Sequence, residues 1–336
     1  MSEQTDVQQM PSMSLGQRFR SWQTVLAFVT LAGAIFLVLT RFDVAWSETW
    51  NLMRGMNPLW YLGAIAIHYT TFFFRGARWR MLLENSARRD DLPFERRPIL
   101  YYGKIILISW FANSVTFFRM GDAYRAYAYA EDTKSSFPRA AGSVLADRVI
   151  DLSVVGSLMG VGIVVLLIGD VDPPLILIMA ALGLLGAIVA GLLSMVVLHR
   201  WIVPLLPQQV ASAYHRFHDG TMGSFGRLDR IYMLGVLGWL MEIGRLYFVT
   251  KALGLSVATG LVIFVPMANG VLSAIPLTPG GLAVVETGIS GLLRLDLALE
   301  LALAVALLDR TVSYLSIIGT GGTAFAIRQF STRQTA

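Results

Sequence analysis

The sequence predicts an all-α, polytopic integral membrane protein: a helix bundle of two inverted repeats, each with a re-entrant broken-helix hairpin. Of its 336 residues, 55% are hydrophobic and only 15% are charged, whereas soluble domains carry about 25% charged residues. Two apolar stretches are interrupted by glycine breaks, and short motifs around these breaks recur in the same order. Six apolar runs are long enough to cross the ~30 Å hydrocarbon core as helices: Thr24–Thr40, Leu59–Phe74, Val149–Ile168, Leu175–Leu198, Ile231–Ala252 and Leu301–Ala326.

The charge pattern predicts an orientation in the membrane rather than a nucleic-acid partner. Arginines are concentrated in residues 75–104 and 199–230 and recur in the C-terminal tail, whereas residues 169–174 hold two aspartates and no basic residue. Because basic residues accumulate on cytoplasmic loops, we expect a multi-pass protein of the plasma (inner) membrane with both termini in the cytoplasm. On this scheme Arg75, Arg78 and Arg80 anchor the second span at the interface.

The same scheme defines the domain organisation. One transmembrane domain, residues 24–330, lies between cytoplasmic tails 1–23 and 331–336, with repeat 1 at about 24–169 and repeat 2 at about 174–327. The chain has no cysteine, which excludes disulfides and thiolate metal sites. We expect no metal and no other cofactor.

Two segments fail as simple spans. Residues 99–139 must leave the cytoplasmic side and return to it, because the next helix has to reach the other side by Gly169. A hairpin that breaks near Arg119–Gly121 meets this requirement. Residues 259–295 pose the mirror-image problem, and the Pro276–Gly281 stretch provides the second break. Within the second half, residues 208–230 have the spacing of an interfacial amphipathic helix.

Matched motifs support the repeat. The run "FANSV" (111–115) matches "MANGV" (267–271), and "VLADRVIDL" (144–152) matches "ALLDRTVSY" (306–314). Each glycine break is also followed by an acidic residue. Three spans per half would place the second half upside down, which is typical of many secondary transporters. The alternative is that these short matches arise by chance and that the breaks are kinks in packing helices.

The breaks and the intramembrane charges predict a binding site. Half-helix N-termini suit anions, a guanidinium forks onto phosphate oxygens, and charges within a membrane are usually paired, inward-facing and functional. We expect Asp122 or Glu286 to couple transport to protons; a solvated turn and purely structural pairs are the alternatives. The predicted substrate-binding residues are Asn113, Arg119, Gly121, Asp122, Arg125, Arg148, Asn269, Pro279, Gly280, Gly281, Glu286 and Arg310. The predicted structural ion-pair residues are Asp147, Asp151, Glu242, Arg245 and Asp309.

The motifs resemble a known family. "RGARWRMLL", "NSVTFFRMGDAYRA", "AAGSVLADRVIDL", "PLTPGGLAVVETGISGLL" and "LLDRTVSYL" occur in the order seen in the lysylphosphatidylglycerol synthase transmembrane-region family, also called flippase-like or UPF0104 proteins. The resemblance implies functional roles for the second break, for the first hairpin and for the two Asp-Arg arginines. One departure is that Phe118–Asp122 replaces the family's usual "P-x-x-x-G-E", which leaves the geometry of that turn open.

The resemblance implies two functions. The first is translocation of an anionic or lipid-linked substrate, such as a phospholipid or a polyprenyl phosphate, between leaflets. The second is a non-transporting membrane partner or regulator of a separate lipid-modifying or glycosyltransferase enzyme. Since no aminoacyl transferase domain accompanies the membrane unit, we expect a transporter rather than an enzyme, with membrane lipids as partners.

Overall fold

In this computed structural model the chain is described over residues 46–116, 119–169, 175–202, 207–274 and 278–334. Every regular element in those ranges is a helix. The predicted first span, Thr24–Thr40, and the N-terminal tail lie outside the described residues. The helices are α1 (Trp46–Arg54), α2 (Pro58–Arg89), α3 (Ile99–Val115), α4 (Met120–Thr133), α5 (Phe137–Ile168), α6 (Leu175–Ile202), α7 (Gln208–Gly223), α8 (Leu228–Ala252), α9 (Thr259–Ala274), α10 (Val284–Leu293), α11 (Leu299–Arg310) and α12 (Ser316–Gln334).

The helices fit a membrane bundle by length and composition. Three stretches are long and apolar enough to cross a bilayer: Phe137–Ile168, Leu228–Ala252 and Leu299–Ser331, the last running through α11 and α12. The helices α3, α9 and α10 are apolar but shorter. The prediction of an all-helical membrane protein is therefore confirmed.

One predicted boundary is wrong, and the difference matters for the site. The apolar run ending at Phe74 continues as a single helix to Arg89, capped at its start by the Asn57 side chain. Arg75 and Arg78 therefore lie inside the helix and are only 5% and 1% exposed. They are not interfacial anchors, because aspartates on α5 neutralise them within the bundle. A hydropathy window ends at the first arginine and cannot detect such distant partners.

The two halves of the bundle pack in equivalent ways. The helix α2 runs along α8, and each is followed by two shorter helices joined at a break, α3–α4 and α9–α10. The first helix of each of these pairs packs on the final helix of the other half: α3 contacts α12, and α9 contacts α5. Each half is thus completed by an element of its counterpart.

Both predicted breaks are helix interruptions. The helix α3 ends at Val115, and α4 begins after Arg119, whose φ of 53° is left-handed. The helix α9 ends at Ala274 and is followed by a 3₁₀ turn, Pro279–Gly281. Gly280 and Gly281 have φ angles of 59° and 72°, which glycine adopts without a steric penalty. Pro276 lies outside the described residues.

The last helix is fastened to the first-half hairpin. The Arg328 guanidinium lies 2.7 and 2.8 Å from the two Asp132 oxygens and 3.0 Å from Glu131 Oε2. The Tyr101 hydroxyl donates to Asp132 at 2.6 Å. Burial alone would raise the pKa of Asp132, but the hydrogen bonds from Arg328 and Tyr101 and the arginine charge lower it below its usual value. The end of α12 therefore stays linked to α4.

The predicted amphipathic helix corresponds to α7, which ends at Gly223 rather than at residue 230, and its second half packs inward. Gly220 and Thr221 are buried, and α7 contacts both α5 and α2. Gly142 of α5 sits so close to α7 that a Cβ atom there would collide with the Phe217 carbonyl oxygen. Glycines at this crossing therefore set the distance between the two helices.

We expect Gly142→Ala to destabilise the protein, because overpacking against backbone costs about 1–3 kcal/mol. Gly160→Ala on the same helix is the matched control, since a Cβ there meets no atom within 4 Å. Alanine should be neutral or slightly stabilising at that position through its helix propensity. Thermal unfolding of the detergent-solubilised protein measures both; equal melting temperatures for the two variants would contradict the assigned crossing.

Candidate functional site

An arginine–carboxylate pair holds each break against the helix that follows it. Arg148 of α5 donates to both oxygens of Asp122, at 2.6 and 3.1 Å. Arg310 of α11 donates to Glu286 at 2.7 Å. Asp122 lies in the first turn of α4, and Glu286 lies in the first turn of α10. The dipole of a helix favours a negative charge at this position. The matched Asp-Arg motifs, together with the acidic residue after each break, thus form the same arginine–carboxylate contact in both halves.

The aspartate of each Asp-Arg pair points in a different direction. Asp147 accepts from Arg78 at 2.8 Å and from Arg125 at 3.0 Å. Asp309 lies 3.2 Å from Arg245 Nη1. The side chains of both aspartates are at most 5% exposed. They pair with arginines between the helices, and the structural role of Asp147 and Asp309 stays a prediction.

Asp151 links the two halves of the bundle. Its Oδ1 accepts from Arg75 at 2.9 Å, from Arg78 at 3.1 Å and from the Trp239 indole at 2.9 Å. The Arg75 guanidinium also lies 5.1 Å from the ring centre of Trp110 and 4.9 Å from that of Trp239. Because Trp239 belongs to α8, the aspartate ties α2 and α5 to the second half.

A cavity of about 220 Å³ lies between the two halves. Its wall is formed by both helix breaks, by the two long helices α2 and α8, and by the Asp-Arg segments. Its polar lining residues are His68, Arg75, Asn113, Ser114, Thr116, Arg119, Arg148, Asp151, Glu242, Arg245, Asn269, Ser273, Thr278, Arg310, Ser313 and Tyr314.

The two breaks touch each other at this cavity. Arg119, at the first break, donates to the Ser273 carbonyl at the end of α9 over 3.2 Å. The Tyr314 hydroxyl, which follows α11, donates to the Ser114 carbonyl at 3.0 Å. The Arg310 guanidinium donates to the Gly280 carbonyl at 3.0 Å. A helix break leaves backbone carbonyls without their helical hydrogen-bond partners. Here side chains supply the missing donors, two of them from the opposite half and one from the same half.

The charges of the two halves do not balance in the same way. Among the described residues, the first-half cluster has five arginines and three aspartates: Arg75, Arg78, Arg119, Arg125, Arg148, Asp122, Asp147 and Asp151. The second-half cluster has two arginines and three carboxylates: Arg245, Arg310, Glu242, Glu286 and Asp309. The first-half wall is therefore the one suited to an anion.

The predicted site residues occupy two layers. Those in the cavity wall are Asn113, Arg119, Arg148, Asn269, Gly280 and Arg310, together with Asp151, Glu242 and Arg245 from the predicted ion pairs. The other predicted site residues whose side chains the structure describes do not line the cavity and lie behind its wall: Gly121, Asp122, Arg125, Gly281, Glu286, Asp147 and Asp309. Pro279 begins the 3₁₀ turn beside Gly280. Arg125 is 3% exposed and committed to Asp147, so it supports the site from behind.

Sequence reasoning missed part of the wall, above all His68 and Arg75. A signal was present, because His68, Thr71, Arg75 and Arg78 are spaced at three and four residues and share one face of a helix. These four residues extend past the end of the apolar run at Phe74. Sequence reasoning therefore assigns the arginines to the membrane boundary and the following loop, and it does not consider His68.

We expect Arg78→Ala to destabilise the fold by about 1.5–3 kcal/mol, because Asp147 and Asp151 each lose a buried hydrogen bond from a charged donor. Arg80→Ala, two residues along the same helix and half-buried, should change stability by less than about 0.5 kcal/mol. Thermal unfolding followed by tryptophan fluorescence measures the difference. A similar melting temperature for both variants would show that the Arg78 pairs do not stabilise the bundle.

The comparisons with known proteins agree with this architecture. The chain is 29% identical over 223 residues to the UPF0104 membrane protein MJ1078 of Methanocaldococcus jannaschii, an alignment covering 65% of this chain and 94% of that protein. It is 26% identical over 326 residues to a UPF0104 membrane protein of Methanothermobacter thermautotrophicus, covering 88% and 91%. It is 23% identical over 350 residues to glycosyltransferase AglD of Haloferax volcanii, covering 90% of this chain and 54% of that protein.

The family model for the lysylphosphatidylglycerol synthase TM region matches residues 24–321. The match spans both breaks, both Asp-Arg segments and the cavity between them, and the resemblance read from the motifs is confirmed. The chain belongs to the family of the lysylphosphatidylglycerol synthase TM region.

Proposed function

We propose that this protein translocates an anionic lipid, such as a phospholipid or a polyprenyl phosphate, between the two leaflets of the membrane. One observation carries the proposal. Two arginines at equivalent positions of the two halves, Arg148 and Arg310, reach a single cavity, and each is held by a carboxylate at the adjoining helix break.

The arginines favour a phosphate headgroup. A guanidinium presents a planar fork of donors that matches phosphate oxygens. Arg148 and Arg119 both pair with Asp122, and their side chains are 25% and 27% exposed, more than those of the other arginines in the cluster. A phosphate would share these two guanidinium groups with Asp122, which already orients them.

The size of the cavity suits the headgroup of a lipid rather than a whole lipid. At about 220 Å³, it is smaller than the 300–1,000 Å³ typical of pockets that enclose a whole ligand. A headgroup fits this volume, whereas acyl or prenyl chains do not. The chains would stay among the apolar helices while the headgroup passes through the polar interior.

The helix lengths support hairpins that turn back inside the membrane. At 1.5 Å per residue, the 17-residue α3 and the 16-residue α9 are each roughly 25 Å long, less than the ~30 Å core. Irregular backbone at membrane depth is tolerated where it lines a cavity, and both breaks adjoin this one. We assign the first hairpin to the cytoplasmic side and the second to the opposite side, as inverted repeats.

Alternating access follows from that arrangement. Besides the packing of α2 on α8, of α3 on α12 and of α9 on α5, the halves meet at the breaks through polar contacts, such as Arg119 with the Ser273 carbonyl and Tyr314 with the Ser114 carbonyl. Rocking of one half against the other would break these contacts on one side at a time. The headgroup site would then open to each leaflet in turn, as in other transporters with inverted repeats.

We expect Arg148→Ala and Arg310→Ala each to reduce lipid translocation at least tenfold, since a charged hydrogen bond to phosphate is worth about 1.5–3 kcal/mol. Purified protein reconstituted in vesicles with fluorescent phosphatidylglycerol or polyprenyl phosphate provides the assay. Arg294→Ala, an exposed position, is the matched control and should translocate like wild type. Unchanged rates in both cavity variants would reject the assigned site, and no movement by wild type would reject the function.

A second candidate is a membrane partner of a separate lipid-modifying or glycosyltransferase enzyme. The observation that favours it is the match to glycosyltransferase AglD, in which the region like this chain makes up about half of the protein. On this hypothesis the purified chain moves no lipid alone, and its presence changes the rate of a co-reconstituted glycosyltransferase. Translocation by the purified chain without any enzyme would decide for the first proposal.

A further inference from the structure

His68 is a buried titratable side chain that headgroup binding does not use. It lines the cavity from α2 and is fully buried. Its Nδ1 lies 3.4 Å from Glu242 Oε1, and neither ring nitrogen has a hydrogen-bond partner among the described residues. The aromatic rings of Tyr69, Phe72 and Trp110 surround it at 5.6 to 6.2 Å. The imidazole is therefore a polar group in a largely apolar setting.

The charged groups around His68 come mainly from two other helices. From α8 come Glu242 and Arg245, and from α11 comes Asp309. Arg245 lies 3.2 Å from Glu242 Oε2 and 3.2 Å from Asp309 Oδ2. On α2 itself the charged neighbour is Arg75, whose Nη1 is committed to Asp151; Arg310, next to Asp309, is committed to Glu286. Packed against His68, α3 presents the uncharged Trp110.

One negative charge is left over in this cluster. Glu242 and Asp309 have side chains that are 6% and 1% exposed, and they share the single arginine Arg245. Glu242 Oε1 and Asp309 Oδ1 have no hydrogen-bond partner among the described residues. An uncompensated ion costs several kcal/mol in such surroundings, and a buried group neutralises by gaining a proton instead.

We infer that the His68–Glu242–Arg245–Asp309 cluster binds one exchangeable proton and that this proton moves together with the anionic lipid. The coupling rests on the proposed function, whereas the proton site does not. His68 and Glu242 face the same cavity as the headgroup arginines, so a negative headgroup favours protonation of the cluster, and protonation favours the headgroup. This linkage is reciprocal.

Proton uptake tests the site directly. Full-length protein in detergent, in weakly buffered solution with a pH-indicating dye, is mixed with short-chain phosphatidylglycerol. At a pH high enough that the lipid-free cluster has lost its proton, wild type should take up about one proton per bound lipid. Asp309→Asn should abolish uptake while lipid still binds, since the cluster is then neutral without a proton, and His68→Gln should reduce it. Two variants serve as controls and should take up protons like wild type: Glu300→Gln, on the same helix as Asp309, and His215→Gln, on the exposed surface. Uptake by Asp309→Asn equal to wild type, or lipid binding by wild type without uptake, would overturn the inference.

Translocation under a pH gradient tests the coupling. With one proton per lipid, each pH unit across the vesicle membrane should change the steady-state lipid ratio about tenfold, with lipid accumulating on the alkaline side. Asp309→Asn should lose this dependence while still equilibrating lipid. Wild-type translocation that ignores the gradient would overturn the coupling and leave the proposed function intact. Proton uptake without any translocation would instead reject the proposed function and leave the proton site standing.

Discussion

The rest of this structure depends on one constraint: an arginine among apolar helices cannot give up its charge and must be matched by carboxylates. Arg78 meets two aspartates of α5, and Arg245 meets one carboxylate on its own helix and one on α11. These partners decide which helices can be neighbours, because exchanging them would bury an unpaired ion. The hydrophobic surface alone would permit many other arrangements of the same helices.

Two successive residues on a helix point about 100° apart, and this explains why an Asp-Arg pair recurs. In each half the aspartate turns toward the long helix, α2 or α8, and fixes the packing. The arginine next to it turns toward the cavity and fixes the break. Directly after Arg310 the chain forms one π-helical turn, Thr311–Leu315, a feature frequent at functional sites. That turn carries Tyr314 to the Ser114 carbonyl of the other half.

How much of this was predictable from the sequence depended on the distance between partners. The helix breaks and the repeated Asp-Arg motif are local patterns, and the structure has both. The pairing of Arg75 and Arg78 with α5 joins residues 69 to 76 positions apart, and no local window contains it. A still larger separation hid His68, whose charged neighbours lie mainly on α8 and α11. A charged residue at the end of an apolar run can mark the membrane boundary. It can equally be one partner of a buried ion pair whose other partner is distant in sequence.

The unequal charges of the two halves connect helix packing to the electrostatics of the cavity. Arg125 lies in α4, whereas the equivalent helix α10 has no arginine, so Asp147 has two guanidinium partners and Asp309 has one. If both halves were balanced internally, the cavity would have no electrostatic preference for any ligand. Instead, an arginine excess faces it from one half and a carboxylate excess from the other. Each excess is expensive in an apolar bundle. An anion reduces the first-half excess of two positive charges, and a proton removes the single excess negative charge of the second half. On the proposed function, a lipid phosphate and a proton would each bind where one of these imbalances lies.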